Sequence, residues 1–152
     1  MENNKVIVIG GGAAGLFAAI SAAENGADVL LLEKNDRCGK KLRITGKGRC
    51  NVTNDCENQE FLKNVISNPK FLYASISNFD TSDTKAFFEN AGVPLKTERG
   101  RRVFPVSDKA IDVVMALKKT MLDYGVTVKN EKVLEIKTDG DVVSGLKTSR
   151  GE

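Results

Sequence analysis

The sequence predicts an α/β fold in which a parallel sheet begins with a strand–helix–strand unit. Two aliphatic runs, Val6–Ile9 and Val29–Leu32, are typical of parallel strands that are buried on both faces of a sheet. Between these runs, the i, i+3, i+4, i+7 spacing of one helix face is occupied by Leu16, Ala19, Ile20 and Ala23. A unit of this kind is expected to have a right-handed crossover.

The next part of the chain predicts a long loop followed by short elements. Asn25-Gly26 ends the first helix, and periodicity is absent from Lys34 to Asn58, which is typical of a functional or disordered loop. Three helices are then predicted at Glu60–Ser67, Phe71–Phe79 and Asp83–Ala91, the last with Ser82 as its N-cap. A hairpin is predicted around Arg99-Gly100, with the strands Val93–Thr97 and Arg102–Phe104.

The last third of the chain predicts one more helix and three strands. Ser107 is predicted to cap the helix and Gly125 to end it, and its inward face is formed by Ile111, Val114, Leu117 and Met121. The strands after it are predicted at Val126–Val128, Val133–Lys137 and Val142–Lys147, the last two joined by a turn at Asp139-Gly140. Arg150-Gly151 resembles the start of another turn, so we expect a β-meander that is incomplete at the C-terminus.

The composition excludes several classes of function. The 152 residues include no histidine, which excludes Ser-His-Asp and Cys-His catalysis and histidine-ligated metal sites. A formal net charge of +3 is too small on its own to indicate a nucleic-acid partner. The three cysteines form no CxxC pair, so we expect no metal site and reduced thiols, as in a cytoplasmic protein. No apolar stretch approaches the ~20 residues of a membrane span, and Gly10–Gly12 interrupt the first apolar run, so we expect neither a membrane segment nor a signal peptide.

Glycines follow the first strand with the spacing Gly10-x-Gly12-x-x-Gly15, directly before the predicted helix. In this context the spacing is the fingerprint of dinucleotide binding: the first glycine permits a tight turn, the second admits the pyrophosphate, and the third allows close helix packing. The amides around Ala13 and Ala14 would then face the phosphates. Glu33, at the end of the second strand, suits hydrogen bonding to ribose hydroxyls and would repel a 2′-phosphate.

The segment after Glu33 is basic and rich in glycine. Within sixteen residues its seven cations are Lys34, Arg37, Lys40, Lys41, Arg43, Lys47 and Arg49. Gly46 and Gly48 expose backbone amides beside these cations, which favours an anion cradle in contact with the cofactor. A solvated loop or a nucleic-acid surface is the alternative, although no aromatic residue between Lys34 and Asn58 could stack on a base.

Two further motifs are more specific than the fingerprint: GKGRCNVTN within Gly39–Asn54 and RVFPVSDKA within Gly100–Ala110. Together with Val6–Lys34, they closely resemble the BaiN-like flavoproteins, also described as aminoacetone-oxidase-type or NAD(P)/FAD-dependent oxidoreductases. The resemblance implies FAD on a glutathione-reductase-like Rossmann domain, and flavin-mediated hydride or electron transfer on a small molecule. It leaves open NAD(P)H as the electron donor, the catalytic residues and the oligomeric state. It implies neither a nucleic-acid nor a membrane partner.

The resemblance also implies roles for individual residues. The pyrophosphate would be held by Gly10, Gly12, Ala14 and Gly15, and the adenosine ribose by Glu33. Towards the flavin, the cofactor would be lined by Lys34, Lys40, Lys41, Gly46, Lys47, Gly48, Arg49, Cys50 and Asn51. The backbone at Val133 would meet the adenine. Lys47 and Arg49 are also expected to lower the pKa of the neighbouring Cys50 thiol, which leaves a redox role open for it.

The chain is much shorter than members of this family, which add a substrate domain and a C-terminal segment that closes over the flavin. We therefore expect residues 1–152 to be the N-terminal part of an FAD-binding domain that binds FAD weakly and is inactive in isolation. Three alternatives stay open: an NAD-binding dehydrogenase or sensor domain, a tRNA-modifying flavoprotein or other nucleic-acid module, and an inactive truncated product. The first does not explain the basic loop, and the second lacks interleaved aromatic residues.

Overall fold

The computed structural model describes residues 4–151 and forms two compact units. The first unit comprises the chain up to Lys41 and from Leu117 onward, and the second comprises Leu42–Ala116. The strands are β1 (Lys5–Ile9), β2 (Asp28–Leu32), β3 (Thr53–Asn54), β4 (Leu95–Glu98), β5 (Arg102–Pro105), β6 (Thr127–Lys129), β7 (Val133–Asp139) and β8 (Val142–Thr148). The helices are α1 (Ala13–Glu24), α2 (Asn58–Lys63), α3 (Tyr73–Asn78), α4 (Thr81–Asn90) and α5 (Ala110–Asp123), with 3₁₀ segments at Leu42–Gly48 and Pro69–Leu72.

The first unit contains a parallel sheet with the strand order β1-β2-β6. β1 pairs with β2 from Lys5 opposite Asp28 to Ile9 opposite Leu32, and α1 connects the two strands. The helix buries the predicted apolar face, with Leu16, Ala19 and Ile20 at most 4% exposed. This arrangement confirms the predicted α/β fold of Rossmann type and its strand–helix–strand unit.

The expectation that β1 is buried on both faces is wrong. Ile7 and Ile9 are 45% and 50% exposed, whereas the alternate residues Val6 and Val8 are half-buried. A parallel strand is buried on both faces only where helices cover both faces, and β1 is in addition an edge strand of this sheet. The central strand β2 follows the prediction more closely, because its buried residues include Val29, Leu31 and Leu32.

The second unit combines an antiparallel sheet with three short helices. β5 lies between β3 and β4, and β4 and β5 form the hairpin predicted around Arg99-Gly100. The first two helices are shorter than predicted, since α2 ends at Lys63 and α3 begins only at Tyr73. Pro69 starts the intervening 3₁₀ segment after Asn68, which has a left-handed backbone, so a continuous helix cannot run through this region.

The N-cap of α4 is Asp80, not Ser82 as the sequence predicts. The Asp80 side chain accepts the amides of Ser82 and Asp83 at 2.7 and 2.9 Å. Asp83 in turn accepts the Asp80 amide at 2.9 Å, which completes a reciprocal capping box. The helix therefore begins at Thr81, two residues earlier than predicted.

Apart from its N-cap, α5 follows the sequence prediction, as do the strands after it. Val114, Leu117 and Met121 are at most 1% exposed, while Ile111 is half-buried. Ser107 is not the N-cap that the sequence predicts, because α5 begins three residues later, at Ala110, and the Ser107 hydroxyl accepts the Lys109 amide before the helix, at 3.3 Å. β7 and β8 pair antiparallel from Val133 opposite Thr148 to Asp139 opposite Val142, which confirms the predicted hairpin.

A further turn follows β8, where Thr148 forms an isolated bridge with Gly151. Glu152, at the end of the predicted turn, lies outside the described residues. Within residues 4–151, each helix is too short or too polar to cross a lipid bilayer.

Candidate functional site

The turn between β1 and α1 contains the first two glycines of the fingerprint, Gly10 and Gly12, and the third, Gly15, lies in the first turn of α1. Gly10 has a φ of +97°, and its amide donates to the Leu32 carbonyl oxygen at 2.8 Å, which ties the turn to the end of β2. A Cβ atom at Gly15 would lie 1.9 Å from the Gly10 carbonyl oxygen. Because no carbon atom can approach an oxygen so closely, only glycine allows α1 to start this close to β1.

The N-terminus of α1 is open to an anion. Its N-cap is Gly12, which has no side chain to accept the first amides, and the first turn contains no acidic residue. Ala13 and Ala14 are exposed, and a Cβ atom at Gly12 would meet no protein atom within 4 Å. The first amides of a helix lack acceptors within the helix and carry the positive end of its dipole, so this terminus suits a phosphate.

Glu33 lies beside this turn and is only 8% exposed. One of its carboxylate oxygens accepts the Gly11 amide at 2.7 Å. The other accepts the backbone amide of Asn35 at 2.7 Å and the Asn35 side-chain amide at 2.6 Å. A carboxylate can accept about four hydrogen bonds, so the oxygen that faces Gly11 retains capacity for a hydroxyl donor.

The same hydrogen bonds keep Glu33 ionised. Burial on its own raises the pKa of this carboxyl group, but the amides of Asn35 and Gly11 and the charge of Lys34 outweigh burial. The pKa of Glu33 therefore lies below its ordinary value. An ionised carboxylate accepts hydrogen bonds from ribose hydroxyls and repels a phosphate on the same ribose.

Three residues complete this turn without having been assigned to it from the sequence. A Cβ atom at Gly11 would lie 2.5 Å from the Cys38 sulfur, so the buried thiol packs directly against the Gly11 backbone. The Gly39 amide donates to the Gly11 carbonyl oxygen at 2.7 Å. Burial, followed by the charge of Glu33, raises the pKa of the Cys38 thiol against a lowering effect of Lys118. The sequence marks Gly11 only by its place in the run Gly10-Gly11-Gly12, because the fingerprint requires Gly10 and Gly12 but accepts any residue between them.

A hollow of about 200 Å³ lies beside Glu33, where β2 and β6 end. Its lining combines apolar and polar side chains, among them Met121, Leu122, Val128, Asn35 and Asn130. The Asn130 side-chain amide donates to the carbonyl oxygens of Glu33, at 3.1 Å, and of Asn35. Ligands of open α/β sheets bind at the carboxyl ends of the strands, which is where this hollow lies.

The remaining predicted site residues of the first unit lie outside the fingerprint turn. Lys34, Lys40 and Lys41 are exposed. Arg37 forms an ion pair with its neighbour Asp36 at 2.5 Å. Val133 is the half-buried first residue of β7. The structure thus joins the fingerprint glycines and Glu33 into one site, and the roles of the three lysines and Val133 stay predictions.

The other predicted cofactor residues lie in the second unit, from Gly46 to Asn51. The 3₁₀ segment that contains Gly46 is kinked: Thr45 is extended, and Gly46 and Lys47 have φ values of +55° and +58°. Cys50 is also left-handed, at +61°, and its amide donates to the Thr45 carbonyl oxygen at 3.1 Å. Left-handed backbone is unfavourable for residues with a Cβ atom, and such strain concentrates at functional sites.

Arg49 is held by Phe104 and Asp108 of the second specific motif and by Glu98 at the end of β4. Its guanidinium group lies 2.7 Å from Glu98, 3.2 Å from Asp108 and 3.9 Å from the centroid of the Phe104 ring. Lys96 contacts the same two carboxylates, at 3.6 and 2.7 Å. Hydrogen bonds from Arg49 and Lys96 hold the pKa values of Glu98 and Asp108, respectively, below their ordinary values. The GKGRCNVTN and RVFPVSDKA motifs therefore meet in the second unit.

The expectation that neighbouring cations lower the pKa of Cys50 is wrong. The thiol is 1% exposed, and burial raises its pKa against a smaller lowering effect of the Thr45 hydroxyl. Arg49 cannot supply the expected charge, because Glu98 and Asp108 neutralise it. Cys50 and Cys56 are both free thiols, and burial raises the pKa of Cys56 as well.

Solved structures with similar folds support the topology. A 3-ketosteroid-delta4-(5alpha)-dehydrogenase from Rhodococcus jostii RHA1 matches 97% of this chain and 42% of its own, with a TM-score of 0.67 and 18% identity. L-proline dehydrogenase from P. horikoshii matches 99% of this chain and 50% of its own, with a TM-score of 0.64 and 16% identity. At such identities the likeness establishes the Rossmann-type fold alone.

Curated relatives are more similar in sequence. A 3-dehydro-bile acid delta(4,6)-reductase of Clostridium scindens is 37% identical over 124 residues, covering 75% of this chain and 28% of the relative. A ribosomal RNA dihydrouridine synthase of Escherichia coli is 37% identical over 84 residues, covering 55% of this chain and 20% of the relative. The Haemophilus influenzae protein of that name is 28% identical over 123 residues, covering 80% and 30%. The chain spans less than a third of each of these relatives.

The family assignment rests on a match to the whole described chain. The model of the HI0933-like protein Rossmann domain covers residues 4–152, which includes the fingerprint turn, Glu33 and both specific motifs. The chain therefore belongs to the HI0933-like protein Rossmann domain family.

Proposed function

We propose that this chain is the FAD-binding portion of an oxidoreductase that acts on a small molecule. The observation that carries the proposal is the joint geometry of α1 and Glu33, in which uncapped helix amides lie next to a buried, ionised acceptor. The first feature suits a pyrophosphate and the second an unphosphorylated ribose. A closer assignment to the BaiN-like flavoproteins is supported by the 37% identity to the Clostridium scindens reductase.

Each part of the site has a defined task in this proposal. Gly10, Gly12 and Gly15 shape the turn, and the amides of Ala13 and Ala14 offset the charge of the pyrophosphate. Glu33 orients the adenosine ribose and excludes a 2′-phosphate. When bound, the flavin supplies the hydride or electron chemistry.

The other residues predicted from the resemblance extend the site. Lys34, Lys40 and Lys41 add positive charge near the end of β2, and the segment from Gly46 to Asn51 contacts the cofactor towards the flavin. Val133 contributes backbone contacts to the adenine. For the whole protein, we propose NAD(P)H as the electron donor, which is consistent with a relative that is named a reductase.

The decisive test uses Gly12→Val with Gly145→Val as its matched control. A Cβ atom at either glycine would meet no protein atom within 4 Å, and neither glycine has a positive φ, so both variants should fold. Gly145 lies in β8, whereas a side chain at Gly12 projects in front of the helix amides. We expect Gly12→Val to weaken binding of FAD and of ADP by about tenfold or more, because the pyrophosphate can no longer approach the backbone.

Fluorescence titration of FAD and calorimetric titration of ADP measure these affinities, and circular dichroism checks folding. A folded Gly12→Val protein that binds FAD as tightly as Gly145→Val contradicts the proposed site. ADP and 2′-phospho-ADP provide an independent comparison, since Glu33 should favour ADP by about tenfold. A wild-type chain that prefers the 2′-phosphorylated ligand contradicts the role of Glu33.

A second candidate function is flavin-dependent modification of RNA, which two relatives named ribosomal RNA dihydrouridine synthases favour. Exposed Lys40, Lys41 and Lys47 could contact phosphates, although the segment from Lys34 to Asn58 has no aromatic residue to stack on a base. Anisotropy titrations with a fluorescent ribosomal RNA stem-loop at several salt concentrations test this function. Binding that weakens with salt and is reduced by Lys40→Gln/Lys41→Gln supports RNA contact. No binding at physiological salt rejects it for this chain.

A further inference from the structure

Arg49 is half-buried among partners of its own unit, unlike the exposed lysines of the basic segment. Glu98 is at the end of β4, Phe104 is in β5, and Asp108 precedes α5, so the guanidinium group joins three parts of the second unit. A guanidinium group suits this position because it can pair with carboxylates along its edge and stack on an aromatic ring with its face. We name Arg49, Glu98, Phe104 and Asp108 the Arg49 clamp.

The backbone next to the clamp has an unusual conformation. Lys47, Gly48 and Cys50 have φ values of +58°, +85° and +61°, so left-handed residues flank Arg49 on both sides. Two of these residues carry a Cβ atom, and such a conformation persists only where surrounding contacts enforce it. The Phe104 ring supplies one such contact, because a Cβ atom at Gly46 would lie 3.0 Å from its Cε1 atom.

We propose that Glu98, Phe104 and Asp108 are positioning residues that hold Arg49 and thereby fix the Gly46–Cys50 backbone in its cofactor-binding shape. Arg49 then contributes to binding through the shape of this segment, and not through a direct charge contact with the cofactor. The cofactor part of this inference rests on the proposed function, whereas the structural part concerns the clamp and its neighbour Cys50.

A direct charge contact between Arg49 and the cofactor predicts other FAD affinities for conservative variants than the positioning role of the clamp does. If Arg49 acted by charge, Arg49→Lys would retain most of the FAD affinity and Asp108→Asn would change it little. If the clamp positions the segment, Arg49→Lys loses FAD affinity, because an ammonium group cannot pair with two carboxylates and stack on the Phe104 ring in the same way. Asp108→Asn then resembles Arg49→Lys, and the double variant is little worse than either, since both lose the same interaction.

Labelling of Cys50 with iodoacetamide tests the clamp without any cofactor. Cys50 follows Arg49 directly and is 1% exposed, so its labelling requires local opening of the segment. Peptide mass spectrometry reports each cysteine separately, and Cys38 in the first unit serves as the internal reference. We expect Arg49→Lys and Asp108→Asn each to accelerate Cys50 labelling by about tenfold relative to Cys38, because each variant disrupts the ion pair between Arg49 and Asp108 that closes the segment.

Lys96→Gln is the matched control. Lys96 contacts Asp108 and Glu98 as Arg49 does, but it lies on β4 and does not stack on Phe104, so its loss removes a cation and leaves the clamp intact. We expect Cys50 labelling in this variant to stay within about twofold of the wild type. Unchanged Cys50 labelling in both Arg49→Lys and Asp108→Asn overturns the clamp, as does equal acceleration in Lys96→Gln.

Titration of FAD into the same wild-type and variant chains tests the effect of the clamp on cofactor binding. We expect Arg49→Lys and Asp108→Asn to lose about tenfold in affinity, the double variant to lose no more than about twice that, and Lys96→Gln to bind like the wild type. Accelerated labelling with unchanged FAD affinity overturns the cofactor role of the clamp. If the wild-type chain binds no FAD, the proposed function fails together with that cofactor role, and the labelling result still decides whether the clamp holds the segment.

Discussion

The fingerprint turn of the first unit and the Gly46–Cys50 segment of the second unit resemble each other in sequence and differ in physical construction. Both contain closely spaced glycines and were predicted to contact a dinucleotide. The fingerprint turn is held by hydrogen bonds of backbone amides, because the Gly11 amide donates to the Glu33 carboxylate and the Gly39 amide donates to the Gly11 carbonyl oxygen. In the second segment, the cation Arg49 is neutralised by Glu98 and Asp108, about fifty residues further along the chain.

This difference shows which sequence signals determine a site directly. Glycine spacing constrains backbone geometry, and that geometry acts between neighbouring atoms, so the spacing predicts the structure of the turn. A cluster of cations in the sequence predicts only that anions lie close to it, and these anions can be carboxylates of the protein itself. The charges of Arg37 and Arg49 are paired within the protein, with Asp36 and with Glu98 and Asp108 respectively, so the number of cations in the basic segment exceeds its unpaired positive charge.

The largest expected effect comes from Gly15→Ala. The added Cβ atom would lie 1.9 Å from the Gly10 carbonyl oxygen, so α1 or the strand before it must move. We expect a loss of about 3 kcal/mol or more in the free energy of unfolding, measured with urea. Gly12→Ala is the control and should lower this free energy by less than about 1 kcal/mol, because its Cβ atom meets no protein atom and only the preference of the N-cap for glycine is lost. Equal stabilities of the two variants would show that the turn does not depend on close packing.

Glu33→Gln should have the next largest effect. The variant keeps the shape of the side chain, but its NH₂ group must face either the Gly11 amide or the Asn35 amides, which leaves a buried donor without an acceptor. We expect the free energy of unfolding to fall by about 2–3 kcal/mol at neutral pH. Asn25→Ala, which removes an exposed side-chain hydrogen bond to Ser21, serves as the control and should cost less than about 1 kcal/mol.

The effect of Glu33→Gln should also depend on pH. The pKa of Glu33 is lower in the folded than in the unfolded chain, so ionised Glu33 stabilises the fold above its ordinary pKa of 4.5. As the pH falls below that value towards the folded pKa, the unfolded chain takes up the proton first and this contribution is lost. The stability difference between wild type and Glu33→Gln should therefore shrink between about pH 5 and pH 3. A difference that grows on acidification would contradict the assigned direction of the pKa shift.

A smaller effect is expected from Gly46→Ala, with Gly48→Ala as its matched control. Both glycines are left-handed, so both variants incur the cost of placing a Cβ atom in that conformation. Only at Gly46 does the new atom also meet Phe104, at 3.0 Å, whereas at Gly48 the nearest atom is 3.9 Å away. We expect losses of about 2 kcal/mol for Gly46→Ala and about 1 kcal/mol for Gly48→Ala in urea unfolding. Equal losses would show that the Phe104 contact does not constrain the segment.

The sequence predicted the fold well because its main signals are local. Hydrophobic periodicity gave α1, β2 and both hairpins, and the fingerprint glycines with Glu33 gave the part of the site that forms around one turn. The wrong N-cap of α4 is an error of choice between two neighbouring cap residues. Asp80 is the cap, and not Ser82, because Asp80 forms a reciprocal capping box with Asp83.

The errors at the candidate site have a different origin. The packing of Cys38 against Gly11 and the pairing of Arg49 with Asp108 join residues that are 27 and 59 positions apart. No periodic pattern or local motif encodes such contacts, and both depend on tertiary packing. The high pKa of Cys50 follows from burial in the same way, since neighbouring cations in the sequence say nothing about which carboxylates they meet in the fold.

The smallest expected effect separates the two regions by their response to salt. Between low ionic strength and about 0.5 M NaCl, screening weakens half-exposed ion pairs such as Arg49–Asp108 but affects short, buried hydrogen bonds such as Gly11–Glu33 much less. The Cys50 amide, which donates to Thr45, should therefore exchange its hydrogen about two- to threefold faster in high salt, while the Gly39 amide, which donates to Gly11, should not change. Hydrogen exchange of one sample at constant pH, followed by NMR, measures both amides together and cancels any general effect of salt on the chain. Equal responses of the two amides would mean that ion pairing does not hold the Gly46–Cys50 segment.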